Sequence, residues 1–308
     1  MSWLELTIRA RRREWRFLEG ALGQVGALSI TLLDAADEPI LEPAAGEMPL
    51  WSELLVTALF EPQVDRRGLR AVLQDLVYTL DDEHFEFRDV ADADWTRAWM
   101  DQYRPMRFGS RLWVVPSGME LPPEARSEGA AEPVVVALDP GLAFGSGTHP
   151  TTALCLEWLD ALATRGDLDG RCVLDYGCGS GILAIAAIKL GAASAIGVDN
   201  DPQALLSSRD NAQRNGVPDS AFTVCTPEEF AGSTAAKEGN DVVVANILAG
   251  PLVTLEPVLA AATRIGGRIA LSGILHEQAE EVLAAYSADF ESLCVTRRDD
   301  WVRIASTD

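Results

Sequence analysis

Three side chains that can form hydrogen bonds to a ligand stand just past short apolar runs in this chain. Asp175 follows residues 172–174, Asp199 follows residues 195–198, and Asn246 follows residues 242–245. Between the first two lies an alternating glycine turn, Gly177, Gly179 and Gly181. Glycines at such spacing let the backbone turn sharply and let a ligand approach it closely. Apolar runs of this length read as buried strands, and open α/β sheets take nucleotide-like ligands at the carboxyl ends of their strands. A P-loop is excluded, because no Gly-Lys-Ser/Thr follows the turn. The dinucleotide fingerprint G-x-G-x-x-G is excluded too, since its third glycine would fall on Ile182. What remains is the pattern Asp175-x-Gly177-x-Gly179-x-Gly181, with an acid, Asp199, closing the second strand. The competing explanation is a glycine-rich turn with no ligand, as in any α/β protein; the acid at 199 weighs against it.

A second glycine-rich stretch spans 139–152 and feeds a helix expected over 153–162. Thr148 or His149 would cap that helix, with Pro150 tolerated in its first turn. Its free backbone donors can meet a carboxylate or polar group. A plain capped turn explains the stretch equally well.

Positioning these residues requires a regular alternation of strands and helices, which the rest of the chain supplies. The turn at 177–181 opens an alanine-rich helix over 182–190, ended by Gly191 as a C-terminal cap. Pro202 opens a helix closed by Gly216. Strands are expected at 222–225, 242–245 and 268–271, helices after Pro251 and over 276–286, and a closing antiparallel pair at 293–296 and 301–304. Such an order implies a doubly wound, mostly parallel sheet. Residues 1–90 read differently, as strand, helix, two strands, helix, strand, the order of a ferredoxin-like α+β domain. Residues 91–105 read as a linking helix with Trp95, Trp99 and Tyr103 on one face. Residues 106–308 then form the larger domain, and 122–133 a loop rich in Pro, Glu, Ala and Gly. Arg11, Arg12 and Arg13 are expected on a solvated helix face.

Composition agrees with two folded domains: 308 residues, of which 48% are hydrophobic. No apolar run is long enough for a membrane span and the amino terminus carries early charge, so neither a span nor an export signal is expected. The five cysteines are odd in number and form no C-x-x-C. Neither a disulfide framework nor a metal site is expected, and the cytoplasm is the expected compartment. The net charge of −22 argues against nucleic acid as a direct ligand and suits a basic partner. High solubility alone accounts for the charge as well.

The pattern Asp175-x-Gly177-x-Gly179-x-Gly181 with Asp199 resembles the first two motifs of Rossmann-like methyltransferases that use S-adenosylmethionine. A narrower resemblance rests on Trp95-x-x-x-Trp99-Met100, Pro105-Met-Arg-Phe-Gly109, Phe144-Gly-Ser-Gly-Thr-His-Pro-Thr-Thr152, Asp175-Tyr-Gly-Cys-Gly-Ser-Gly-Ile-Leu183 and Asn246-Ile-Leu-Ala-Gly-Pro-Leu252. Together these resemble the bacterial methyltransferases that modify ribosomal protein L11, over nearly the whole chain. Ser146 stands where the family usually has Thr, and 122–133 is longer than the family pattern. The resemblance implies an α/β class I methyltransferase domain with a small ferredoxin-like domain before it that grips the protein substrate. It implies methylation of lysine ε-amines and the terminal α-amine of L11; separately, a monomer is expected. It also implies cofactor contacts from Thr152, Gly177, Gly179, Asp199 and Asn246, with Asn246 also catalytic. His149 is expected to cap rather than catalyse, and His84 and His276 to be surface residues. A small-molecule amine, another protein's glutamine, or a binding module without turnover are the alternatives. Amide-directed relatives carry Asn-Pro-Pro-Tyr where this chain has Asn246-Ile-Leu-Ala249, which disfavours the glutamine.

Overall fold

The computed structural model describes residues 2–36, 50–91, 104–126, 132–138 and 149–307. The chain divides into two compact units, Met1–Ala98 and Trp99–Asp308. The aromatic stripe of Trp95, Trp99 and Tyr103 lies outside the described residues, as does the stretch 139–148.

The first unit runs β1 (Ser2–Arg11), α1 (Trp15–Gln24), β2 (Ser29–Asp34), β3 (Glu53–Phe60), α2 (Arg66–Leu76) and β4 (Phe85–Ala91). Its sheet has the order β2-β3-β1-β4, antiparallel throughout. This is the ferredoxin-like arrangement. Alternation drives it: Leu4, Leu6, Ile8 and Ala10 of β1 and Leu54, Val56, Ala58 and Phe60 of β3 face the helices and are buried. Leu18, Leu22, Leu69 and Leu73 close the other side. Asp65 caps α2 through the Arg67 and Gly68 amides. One expectation shifts: Arg11 ends β1 and Arg12 and Arg13 form a single 3-10 turn before α1. They are solvated, but not on the helix, because the register with β3 carries β1 through Arg11 opposite Glu53.

The second unit begins with a small sheet of β5 (Met106–Phe108), β6 (Leu112–Val115) and β7 (Val134–Ala137). There follow α3 (Pro150–Arg165), β8 (Cys172–Tyr176), α4 (Ile182–Lys189), β9 (Ser194–Val198), α5 (Pro202–Arg214) and β10 (Phe222–Cys225). Two short helices, α6 (Pro227–Gly232) and α7 (Thr234–Glu238), precede β11 (Asn240–Asn246). The unit ends with α8 (Ala249–Ala261), β12 (Thr263–Leu275), α9 (Ala279–Tyr286), β13 (Leu293–Arg298) and β14 (Trp301–Ser306). The large sheet has the order β10-β9-β8-β11-β12-β14-β13, with the first five strands parallel and β14 antiparallel to its neighbours. This is the doubly wound sheet expected from the alternation. Chain order reverses between β8 and β11, and that switch point is where such sheets open a crevice.

Each central strand is buried on both faces. Val242 and Val244 of β11 join the core under α3 and α4, whereas Val243 and Ala245 join the core under α8 and α9. The strand expected at 268–271 is longer at both ends. β12 runs from Thr263 through both glycines, and the register jumps: Thr263 opposes Asn240 while Arg268 opposes Val242. Gly266 at φ 73° supplies the turn of that irregularity.

One buried carboxylate fastens the small sheet to α3. Asp160 Oδ2 accepts from the Ser110 amide at 2.6 Å and the Ser110 hydroxyl at 2.8 Å, and Oδ1 accepts from the Arg111 and Leu112 amides at 3.2 Å each. Gly109, at φ 66°, passes so close that a β-carbon there would overlap the Asp160 carboxylate. Asp160→Ala leaves these donors without their acceptor. It should cost about 2 kcal/mol and lower the melting temperature by roughly 5 °C. An unchanged thermal transition would show that water replaces the carboxylate freely.

Candidate active site

The ends of β9, β8 and β11 lie side by side: Val198 opposes Tyr176, and Tyr176 opposes Ala245. Asp199 and the glycine turn begin just beyond two of these strand ends and Asn246 is the last residue of the third, so residues far apart in sequence meet along one rim of the sheet. The turn is built from left-handed glycines, with φ of 80° at Gly177, 52° at Gly179 and 77° at Gly181. The Gly177 amide donates to the Val198 carbonyl at 2.7 Å, which folds the turn back over β9.

Among the described residues, two backbone amides pin Asp199. Its Oδ2 accepts from the Gly179 amide at 2.9 Å and its Oδ1 from the Asp201 amide at 3.0 Å. A carboxylate has about four lone-pair sites, so each oxygen keeps acceptor capacity for a ligand. Asp201 in turn caps α5 through the Gln203 amide.

Asn246 is oriented by Thr152, whose buried hydroxyl accepts from the Asn246 amide nitrogen at 3.2 Å. That bond uses the donor end of the side chain and leaves its carbonyl oxygen as the acceptor end. Thr152 is placed by the first turn of α3. His149 is the N-cap there, its Nδ1 accepting from the Thr151 amide at 3.4 Å and lying 2.8 Å from the Thr151 hydroxyl. Thr148, the other candidate cap, lies outside the described residues. Burial holds the His149 imidazole below its ordinary pKa, so the ring is neutral at pH 7, as a capping acceptor must be. Its ring meets the Trp301 edge at 4.8 Å between centroids. Of the other histidines, His276 is exposed and His84 pairs with Asp81 near the surface.

Several contacts here involve residues that the sequence reading passed over. Ile247 sits between two glycines. A β-carbon on Gly177 would overlap its side chain, and one on Gly273 its carbonyl oxygen. The Ser272 hydroxyl, fully buried on β12, lies 3.3 Å from the Thr151 carbonyl and 3.2 Å from the Val302 carbonyl and shares its one hydrogen between them, which ties α3 to the sheet. The apolar Ile between Asn246 and Leu248 was the available signal for the first, but only with the fold in hand.

Asp175 is fully buried at the end of β8. Its Oδ2 accepts from the Ala184 amide at 3.1 Å, while Oδ1 has no partner among the described residues. Burial, reinforced by the negative charge of Asp199, pushes its pKa up from 3.8 to about 7. The folded chain therefore holds this proton more tightly than the unfolded one. The group's contribution to stability is fully present below about pH 3.8 and is lost as pH rises through about 7. Asp175→Asn keeps the shape and removes the ionisation. It should therefore gain on the wild type as pH rises from about 5 to about 8, in denaturant melts without ligand. A stability difference equal at both pH values would refute this.

Two carboxyl groups, Asp175 and Asp199, thus flank a turn of bare backbone, and Oδ1 of one has no partner. This donor and acceptor set suits a ligand that carries ribose hydroxyls and positive charge, as S-adenosylmethionine does, and suits a polyphosphate poorly.

Comparison with known proteins agrees across the whole chain. The family described as ribosomal protein L11 methyltransferase (PrmA) matches residues 2–308. The chain is 52% identical over 309 residues to a ribosomal protein L11 methyltransferase of Stenotrophomonas maltophilia (strain K279a), covering 99% of this chain and 98% of that one. It is 52% identical over 307 residues to one of Pseudomonas aeruginosa (strain LESB58), with the same coverage. Among solved structures, a ribosomal protein L11 methylase from Lactobacillus delbrueckii subsp. bulgaricus superposes with a TM-score of 0.55 at 30% identity, covering 66% of this chain and 97% of that one. With the sheet order, its switch point and these matches together, the chain belongs to the ribosomal protein L11 methyltransferase family.

Proposed function

We propose that this protein transfers methyl groups from S-adenosylmethionine to lysine ε-amines and the amino-terminal α-amine of ribosomal protein L11. The observation that carries the reading is the Thr152–Asn246 bond at the switch point, which presents a fixed amide carbonyl where a substrate nitrogen would arrive. Asp199 would hold the ribose hydroxyls, and Gly177 and Gly179 would let the cofactor lie against the backbone. Residues 1–90 would recognise the protein substrate, 91–105 would link, and 106–308 would catalyse. The net charge of −22 supports a basic protein as substrate.

When bound, the cofactor supplies an electrophilic methyl on a sulfonium whose leaving thioether is neutral, so no general acid is required. The difficulty lies with the amine. A free lysine has a pKa of about 10.4, so keeping it neutral at pH 7 costs roughly 4.6 kcal/mol. Exclusion of water from the crevice lowers that cost. The Asn246 carbonyl accepts a hydrogen bond from the neutral amine and turns its lone pair toward the reacting carbon. The proton shed on reaching the neutral form leaves through solvent. No side chain here is required as a base, and neutral His149 is already engaged as a cap.

Incubating the protein with methyl-labelled cofactor and total ribosomal protein tests this. Label should enter one basic band, and mass spectrometry should place it on lysine and amino-terminal nitrogens. Label on another ribosomal protein, or on a glutamine side chain, would overturn the assignment.

A further inference from the structure

The inner face of α5 carries polar side chains where a core-facing helix ordinarily presents apolar ones. Ser208 is fully buried and Asn211 nearly so, beside Ala204, Leu205 and Ala212. Asn215 caps the same helix. Burying such groups is costly unless each finds a partner, and here each does. The Ser208 hydroxyl donates to the Gly179 carbonyl at 2.8 Å, and the Asn211 amide nitrogen to the Ser180 carbonyl at 2.9 Å. Asn215 grips the end of β7 from both sides: its Oδ1 accepts from the Ala137 amide and its Nδ2 donates to the Ala137 carbonyl, both at 2.7 Å. The same Nδ2 lies 2.8 Å from the Asn211 carbonyl. The bonds therefore run without a gap from the glycine turn, along α5, to the strand that leads into the stretch 139–148.

We propose that Ser208, Asn211 and Asn215 act as a positioning ladder for the cofactor site, locking the glycine turn and the end of β7 to one helix before the ligand arrives. The proposal rests on the reading of that site as the S-adenosylmethionine site. None of the three reaches over the rim to where Asp199 and Asn246 stand; they act through the backbone of the turn. The partners are backbone groups of a tight turn and a short strand end, which would otherwise be satisfied by water and held less firmly. A turn already fixed spares the ligand the cost of ordering it. Apolar replacements at these positions would pack well but would take these side-chain donors from the Gly179 and Ser180 carbonyls.

The test uses the full chain and S-adenosylhomocysteine as the probe, with Ser208→Ala, Asn211→Ala, Asn215→Ala and the Asn211/Asn215 double variant. Calorimetry gives Kd, melting gives Tm, and initial rates give KM for the cofactor and for the protein substrate separately. Asn211→Ala and Asn215→Ala should each weaken the probe about tenfold, with the cofactor KM rising in step and the protein-substrate KM unchanged. The double variant should lose about the product of the singles, because the Asn211 side chain holds the Ser180 carbonyl while the Asn215 side chain holds Ala137 and the main-chain carbonyl of Asn211, which both variants keep. If a double loss prevents folding, Ser208→Ala carries the same expectation with a smaller cavity. Probe affinity within twofold of the wild type in folded variants, whatever their Tm, would overturn the ladder. A wild type that fails to bind the probe would overturn the site reading beneath it as well.

Discussion

Asn246→Ala is expected to lower kcat about a thousandfold while changing cofactor Kd by less than tenfold. Two effects combine. In the proposed mechanism the variant removes the acceptor that meets the amine, and loss of a single preorganised polar partner costs about a hundredfold or more in kcat. It also releases the amine from alignment, and misplacement by about 1 Å costs a further large factor. Thr152 matters through Asn246, since its hydroxyl holds the amide nitrogen at 3.2 Å. Thr152→Val should therefore show a milder loss, about tenfold in kcat, from an Asn246 free to turn. Asn246→Asp is more informative. A carboxylate still accepts from the amine but also stabilises its protonated form, which raises the amine pKa. Its rate should lag at neutral pH and recover as pH rises, moving the pH–rate profile to the alkaline side. A wild-type rate for Asn246→Ala would remove this residue from the chemistry. An unshifted profile for Asn246→Asp would mean that the amine is not beside it.

What the chain discloses without its fold is uneven, and the reason is the range of the interactions. Strand ends at Asp175, Asp199 and Asn246 were legible because each closes a run of apolar residues. The parallel sheet followed from strand–helix alternation, and the ferredoxin-like unit from the order strand, helix, two strands, helix, strand. The continuous β12 was not legible. Two adjacent glycines signal a break, and only the register with β11 shows that the strand resumes across them. Arg11 to Arg13 were drawn onto a helix because charge patterning cannot tell a solvated strand end from a solvated helix. Asp160 and Asn211 looked like ordinary helix polar residues, since their partners lie 48–50 and 31 positions away. Ile247 between Gly177 and Gly273 depends on three segments meeting. Motif spacing reports contacts within one segment, whereas the site is assembled from tertiary ones.

Asp199→Ala is expected to weaken binding of S-adenosylmethionine about a hundredfold with a much smaller change in kcat at saturation. Hydrogen bonds to a charged acceptor contribute about 1.5 kcal/mol each at the lower end, and two ribose hydroxyls on one carboxylate give roughly 3 kcal/mol. Part of any loss could come from the turn, because Asp199 also holds the Gly179 amide. Two controls separate these contributions. Asp199→Asn keeps the shape but can present an acceptor to only one of the Gly179 and Asp201 amides, so one of them faces an amide NH2. Its loss reports turn geometry together with one ribose bond, and should be about tenfold. Asp201→Ala deletes only the cap of α5 and should cost about 1 kcal/mol of stability without touching Kd. A deoxyribose analogue of the cofactor supplies the decisive arm. If the carboxylate binds the sugar, the analogue should bind wild type more weakly than the parent cofactor and bind Asp199→Ala about equally. Undiminished discrimination in Asp199→Ala would place the sugar against some other group, and the acid at the end of β9 would then serve the turn alone.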